Sequence, residues 1–340
     1  MLIHAFAALE SGGRLKPYEY EPQELGIHDV DIRISHCGIC HSDVHLINND
    51  WGVTSYPLVS GHEIVGTVTS IGTAVGKIIR GQRVGVGWQS GSCLACEWCL
   101  NGYENLCKEK QLTCIGKHGG FADFIRTDSR FVFPIPEPLD SAHAAPLLCA
   151  GVAVYSPMKI YGVQPHQRVG VAGIGGLGHM AVQFAHAMGC EVTALSTTPD
   201  KEDDARRFGA DHFINSNDKG QMRTAAGSLD FILFTATTTL NWTSYLNLLR
   251  SNGRLNFVGR LTFAGSSAGT LDIPVAMLVA GQKAVSGSVI GGRAMMREML
   301  SFAARHDIKA QVEEVPMADI NSALEKVRHK QARYRMVLKN

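Results

Sequence analysis

The run Arg168-Val-Gly-Val-Ala172, followed directly by Gly173-Ile-Gly-Gly-Leu-Gly178, restricts the fold more than any other stretch of this chain. A short apolar strand, a glycine turn and an amphipathic helix over 176–188 make the opening of a βαβ unit. Gly173, Gly175 and Gly178 stand in Gly-x-Gly-x-x-Gly spacing, and Gly176 and Leu177 between them join the candidate cofactor-binding residues. The first glycine permits the tight turn, the second lets a ligand approach the backbone, and the third lets helix and strand pack closely. The start of such a helix offers free N–H groups and a positive dipole end, which suit the pyrophosphate of a dinucleotide.

Five further apolar runs continue the pattern: Glu191–Leu195, His212–Ile214, Phe231–Thr235, Arg254–Val258 and Ala284–Ser288. Six strands with intervening helices predict a doubly wound parallel sheet, an α/β Rossmann arrangement. The texture before residue 150 is different. Asp31–Ser35, Ile64–Ser70, Gly81–Gly87 and Phe121–Arg126 are short β-like runs broken by glycine, which predict a twisted, barrel-like antiparallel unit. Beyond Gly291 an amphipathic helix over Met295–Ala304 leads to a tail too short for a domain, expected to return to the first unit. The chain of 340 residues therefore divides into 1–150, 151–290 and a returning segment, 291–340.

Nine cysteines are unevenly distributed. Cys93, Cys96, Cys99 and Cys107 fall within fifteen residues, in a lobe over 91–108, at spacings that close around one tetrahedral zinc. An iron–sulfur cluster is the alternative use of four such thiolates. Cys40, His62 and Cys149 are scattered, and two thiolates with one imidazole make a three-ligand set that leaves a tetrahedral zinc one open position. Cys37-Gly-Ile-Cys40 also matches a redox Cys-x-x-Cys, but nothing around it fits a thioredoxin-like unit. Cys37, Cys114 and Cys190 read as small buried residues.

A formal net charge of +1 gives no field for nucleic acid or an anionic membrane, and no apolar run is long enough to span a bilayer. The first ten residues lack a basic segment before the apolar one, so no secretory signal is expected. Clustered cysteines are then read as metal ligands in a reducing, cytoplasmic setting.

The end of the second strand of the parallel sheet bears on the dinucleotide. NAD sites place Asp or Glu there for the ribose hydroxyls. This chain has Ser196, eighteen residues after Gly178, followed by Thr197 and, at a short distance, Lys201. Hydroxyls and an ammonium accept a 2′-phosphate that a carboxylate would repel, so NADP(H) is expected. The Ser-Thr-Thr run also reads as a helix-capping turn, and Asp200 stands close by.

Gly38-Ile-Cys-His-Ser-Asp43, Gly61-His-Glu63, the four-cysteine lobe, Leu148-Cys-Ala-Gly-Val-Ala-Val-Tyr-Ser-Pro157 and the glycine turn occur in that order. Together they resemble the zinc-dependent medium-chain alcohol dehydrogenases over almost the whole chain. Asp50-Trp-Gly52 before Tyr56-Pro57, and Ala332-Arg-Tyr-Arg335, look like the cinnamyl-alcohol-dehydrogenase-like branch, which includes bacterial NADPH-dependent aldehyde reductases.

The resemblance implies a GroES-like catalytic domain with catalytic zinc on Cys40, His62 and Cys149, and structural zinc on the four clustered cysteines. It implies hydride transfer between NADP(H) and a primary alcohol or aldehyde, aromatic or medium-chain aliphatic. Ser42 and His45 would relay the proton. Asp43 would orient His62, Glu63 would tune the metal, and His41 would face the pyrophosphate. The connection Lys108–His118 is shorter than this branch often has, and in relatives that segment helps shape the substrate entrance. Trp51 reads either as a pocket wall or as an ordinary buried tryptophan. A homodimer or homotetramer, paired through the edge strand of the coenzyme domain, is also implied. An NAD-dependent alcohol or polyol dehydrogenase, or a non-catalytic zinc- or nucleotide-binding relative, are the alternative readings.

Overall fold

The structure is a computed structural model that describes residues 1–236, 241–258 and 271–340. It resolves into two compact units, residues 1–152 with 291–340, and residues 153–290.

The first unit opens with β1 (Ile3–Ala7) and β2 (Lys16–Tyr20), an antiparallel pair. Then follow β3 (Asp29–Ile39), α1 (His41–Ile47), β4 (Glu63–Ile71) and β5 (Arg83–Val86). β6 (Gln89–Gly91) and β7 (Gln111–Leu112) bracket the cysteine lobe, which contains the short α2 (Glu97–Leu100). β8 (Phe124–Asp128), β9 (Val132–Pro134) and α3 (Ser141–Pro146) lead into a single π turn, Leu147–Gly151. The expected strand over Phe121–Arg126 starts late: Phe121 and Ala122 turn toward β1 instead, bridging Ala5.

In the second unit α4 (Val152–Ile160) precedes β10 (Arg168–Ala172), α5 (Gly178–Ala187), β11 (Glu191–Ser196), α6 (Glu202–Arg207) and β12 (His212–Asn215). α7 (Lys219–Thr224), β13 (Leu229–Phe234), α8 (Trp242–Leu248), β14 (Leu249–Val258), α9 (Val275–Gly281) and β15 (Ala284–Ser288) complete it. All six strands are parallel in the order β12-β11-β10-β13-β14-β15. This is the doubly wound topology, whose strand order reverses beside β10. β10 and β13 are buried on both faces, which explains why they read as continuous apolar runs rather than alternating ones. α5 begins at Gly178 rather than Gly176, because Gly176 and Leu177 still belong to the turn.

The chain then rejoins the first unit with α10 (Arg293–Arg305), β16 (Val312–Pro316), α11 (Ile320–Arg328) and β17 (Arg335–Lys339). α10 buries Met296, Met299, Leu300 and Ala303, the i, i+3, i+4, i+7 stripe of an amphipathic helix. β17 pairs antiparallel with β3, giving a seven-stranded sheet with the path β16-β17-β3-β4-β5-β9 and β8 also on β3. That sheet is antiparallel except for β16–β17, a parallel pair closed by the crossover helix α11. Among the described residues no helix is long and apolar enough to cross a membrane.

Candidate active site and metal centres

Three separate breaks in the backbone carry the scattered donors. Cys40 ends β3 and caps α1, its backbone N–H donating to Asp43 Oδ2 at 2.8 Å in a capping box. His62 follows Gly61, whose φ of 94° suits glycine, and a Cβ there would lie 2.6 Å from the Phe121 ring. Cys149 lies in the π turn, a local widening that is often found at functional sites. Their donor atoms, with a carboxylate oxygen of Glu63, all lie within 4.8 Å of one another.

The surroundings suit a cation. His62 is fully buried, its Nδ1 lies 3.1 Å from Asp43 Oδ1, and its Nε2 finds no hydrogen-bond partner among the described residues. A buried ring nitrogen left this way is expensive unless an ion takes it. Asp43 Oδ1 also accepts from Ser60 Oγ at 2.6 Å and from the Gly61 N–H at 2.9 Å, so the imidazole is oriented from a fully braced carboxylate. Burial pulls the His62 ring toward neutrality, but the charges of Asp43 and Cys149 and the Asp43 hydrogen bond together outweigh it and hold its pKa well above the ordinary value. A hydrogen bond from Cys149 holds the Cys40 thiol well below its usual range, against the opposing effect of burial. Cys149, as donor in that bond and buried, is pushed well up.

Behind this cluster Glu63 is fully buried, and its Oε1 accepts from Arg335 on β17. Burial raises the Glu63 carboxyl to about 7 despite the guanidinium beside it. Gly38 makes room for it: a Cβ there would come 2.1 Å from Glu63 Oε2.

α1 carries the remaining residues. His41 and Ser42 are half-buried in its first turn, and the His41 ring lies 5.0 Å from that of His45. Burial, then His45, lowers the His41 pKa. His45 Nδ1 lies 2.6 Å from Asp50 Oδ2, and its ring sits 5.4 Å from Trp51. Trp88 packs edge-on against the His62 ring at 4.6 Å and against Trp51 at 6.1 Å. Sequence reasoning gave no role to Trp88, Asp50, Ser60 or Arg335. The Asp-Trp-Gly and Arg-Tyr-Arg motifs contain two of them, and the Trp88 and Ser60 contacts arise only on folding. Cys114, expected to be a plain buried residue, lies beside Asp43 and His62 with its Sγ donating to the Gly61 carbonyl at 3.0 Å.

In the lobe, Sγ atoms are 3.8 Å apart for Cys93–Cys99, 3.6 Å for Cys96–Cys99 and 3.5 Å for Cys93–Cys107. Four sulfurs at about 2.3 Å from a tetrahedral zinc would stand about 3.8 Å apart, close to this arrangement. The Cys96 N–H points at Cys93 Sγ at 3.3 Å, and such backbone donors bring the Cys93 thiol down to about 7. Closed by four thiolates, this site has no position for substrate.

The glycine turn follows β10 as its spacing requires. Gly173 has φ 95° and donates to the Leu195 carbonyl, and a Cβ on Gly178 would lie 1.8 Å from the Gly173 oxygen. Among the described residues nothing lies within 4 Å of the corresponding position at Gly175. Ser196 ends β11 and accepts from the Thr198 N–H at 3.1 Å. This is a local turn around Thr198, and the helix cap read from the sequence is not formed: neither Thr198 nor Lys201, the two N-cap residues, caps with its side chain. Thr197 is exposed, and Lys201 Nζ donates to the Ile174 carbonyl at 2.7 Å, which brings the ammonium to the glycine turn.

Residues 26–137 match the alcohol dehydrogenase GroES-like domain, and residues 176–305 match the zinc-binding dehydrogenase model. The chain is 43% identical over 337 residues to an aldehyde reductase of Synechocystis sp., covering 99% of this chain and 98% of the relative. A cinnamyl alcohol dehydrogenase of Sorghum bicolor superposes with a TM-score of 0.93 at 40% identity, over 100% of this chain and 98% of the other. A cinnamyl alcohol dehydrogenase of Helicobacter pylori, solved with NADP(H), gives 0.91 at 34% identity over 100% and 98%. With both donor sets and the dinucleotide turn on one chain, it belongs to the zinc-dependent medium-chain alcohol dehydrogenases, in the cinnamyl-alcohol-dehydrogenase-like branch.

Proposed function

We propose that this chain is a zinc-dependent alcohol dehydrogenase or aldehyde reductase that exchanges hydride between NADP(H) and a primary alcohol or aldehyde, aromatic or medium-chain aliphatic. The observation that carries the reading is the convergence of Cys40, His62 and Cys149 around a buried His62 Nε2 that finds no hydrogen-bond partner among the described residues. Residues 1–150 and 291–340 form the catalytic part in this reading, and residues 151–290 bind the dinucleotide.

Cys40, His62 and Cys149 would hold one zinc, and Cys93, Cys96, Cys99 and Cys107 a second. Zinc at the three-donor site supplies a Lewis acid toward the substrate oxygen, and the nicotinamide supplies or takes the hydride. Asp43 fixes the His62 tautomer by holding Nδ1–H, leaving Nε2 as the ligand atom. Glu63, paired with Arg335, adds a carboxylate behind the donors. Ser42 passes the proton between the substrate hydroxyl and His45, whose Nδ1 is steadied by Asp50. Trp88 and Trp51 give the site an aromatic wall.

Gly173, Gly175, Gly176, Leu177 and Gly178 would cradle the pyrophosphate, with His41 facing it. Ser196, Thr197 and Lys201 would take the 2′-phosphate, a preference supported by the absence of Asp or Glu at the end of β11. The reducing, cytoplasmic setting is supported by nine free cysteines. A homodimer or homotetramer paired along β15 is supported by its edge position and by α9, the helix that precedes it in the chain, which leaves Val275 70% and Val279 71% exposed.

The test is an aldehyde and alcohol panel, with a sugar alcohol included, assayed with NADPH and with NADH on protein never exposed to chelator. Activity on aldehydes with NADPH strongly preferred, and two zinc ions per chain, is the expected result. Equal efficiency with the two cofactors overturns the NADP assignment, turnover of the sugar alcohol alone overturns the substrate class, and a single zinc revives a non-catalytic role.

A further inference from the structure

Glu104 belongs to the four-cysteine lobe, but its side chain reaches out of it. It sits in a single 3-10 turn, Glu104–Leu106, between Cys99 and Cys107, and is 2% exposed. A carboxylate buried so deeply is costly unless its oxygens are satisfied. Oε1 accepts from Arg293 Nε at 2.6 Å, and Oε2 accepts from the Arg293 backbone N–H at 3.0 Å. Gln89 Nε2 donates to the Glu104 carbonyl at 2.8 Å, tying the same residue back to β6.

Arg293 is the first residue of α10, and the N-cap before it, Gly292, has no side chain to offer. Glu104 therefore supplies the acceptor and the negative charge that a helix start requires. The seat is tight: a Cβ on Gly292 would lie 2.0 Å from the Gly102 oxygen and 2.5 Å from Glu104 Oε2. The Arg293 guanidinium also lies 5.3 Å over the Phe131 ring.

One turn further along, α10 meets the segment that carries Cys149. Met296 and Met299 are buried. Around Gly87, a Cβ would meet the Leu148 oxygen at 2.5 Å and Met296 Cε at 3.2 Å. Around Gly151, it would meet Met299 Sδ at 3.4 Å. α10 thus packs on the π turn, with Met299 at Gly151 and Met296 reaching Gly87, the glycine against which the Leu148 carbonyl lies.

We propose that Glu104 is a positioning residue that couples the four-cysteine lobe to the Cys149 turn through α10. Thiolates gathered around a metal fix the lobe, the lobe fixes Glu104, and Glu104 holds the helix that packs against the turn. The lobe then acts on the three-donor site as well as bracing its own loop. This coupling rests on the two-zinc reading above, but its test does not depend on turnover alone.

Glu104→Ala and Glu104→Gln are compared with the parent protein, full-length and as purified, after metal analysis has shown the lobe still loaded. In Glu104→Ala the metal at Cys40, His62 and Cys149 is expected to pass to a chelator about tenfold faster, the scale on which outer supporting groups change metal affinity. Amide exchange rises at 293–299 and at 147–151, and kcat falls while KM for NADPH stays fixed. Glu104→Gln, which keeps an acceptor for Arg293, lies between, and it carries the comparison if the alanine variant does not fold. Parent-like exchange at 147–151 with unchanged metal release overturns the coupling. A parent protein lacking metal at the three donors instead overturns the zinc reading, and exchange at 147–151 still reports on Glu104.

Discussion

Asp43 is fully buried, and its two oxygens take up the Cys40 amide, the Ser60 hydroxyl, the Gly61 amide and the His62 ring. Replacing it by alanine leaves those donors without a partner, at about 1–3 kcal/mol for each buried group left unsatisfied. It also frees the His62 ring to turn. Asp43→Ala should weaken zinc at the three-donor site roughly 10- to 100-fold, the usual effect of losing a carboxylate behind a ligand histidine. Competition with a chromophoric chelator measures this, and parent-like affinity would show that Asp43 does not orient the ligand. The thiols beside it make a second prediction. Cys40 is held low and Cys149 high, so the Cys149 thiol keeps its proton to higher pH than an ordinary cysteine. A cation needs both thiolates, so binding expels that proton, and affinity drops as pH falls, by about tenfold per unit for each proton released. Zinc titrations at several pH values check the slope, and a flat profile would contradict the raised Cys149 thiol.

At the scale of elements, the turn between β10 and α5 separates two roles that one glycine pattern runs together. Gly178 has no room for a Cβ, whereas Gly175 has nothing near it among the described residues. Gly178→Ala should therefore cost about 1–3 kcal/mol of stability, the range for overpacking, and lower the melting temperature with or without cofactor. Gly175→Ala should melt like the parent yet show a raised KM for NADPH, because its methyl enters the space left for the ligand. If both variants behave alike, the space beside Gly175 is not where the dinucleotide lies.

This turn was legible in the sequence because glycine is diagnostic where a backbone must turn or approach closely. Ser196 was harder to read, since a hydroxyl serves equally as a cap and as a phosphate ligand. It closes a local turn by accepting from the Thr198 N–H, without capping the helix that follows. Lys201 reaches the glycine turn through the Ile174 carbonyl, a contact that no local pattern encodes. Helix and strand limits were less legible, because the residue that ends an element is chosen by its neighbours. Phe121 and Ala122 read as strand and do pair, but with β1 rather than within β8.

For the molecule as a whole, the change from glycine-broken strands to alternating strand and helix was enough to read both fold types. It could not reveal that Arg335 reaches Glu63 across 272 positions, or that Arg293 meets Glu104 across 189, because such pairs exist only once the tail is laid on the first unit. Surface patches are similarly silent in sequence. α9 reads as an ordinary apolar helix, yet none of its residues is buried within the chain. Val275 and Val279, one turn apart, are exposed on the helix that leads into the edge strand β15, whose own residues are only partly covered. An edge strand left open invites pairing with another chain, and an exposed apolar pair adds area that water disfavours. If two copies join their β15 edges, charges on α9 should separate them. The double variant Val275→Glu, Val279→Glu is expected to sediment at the mass of one chain, with both zinc sites still filled, since neither position lies in the first unit. Sedimentation equilibrium of parent and variant decides it: an unchanged oligomer moves the interface away from β15, and a monomeric parent removes the assembly from the reading.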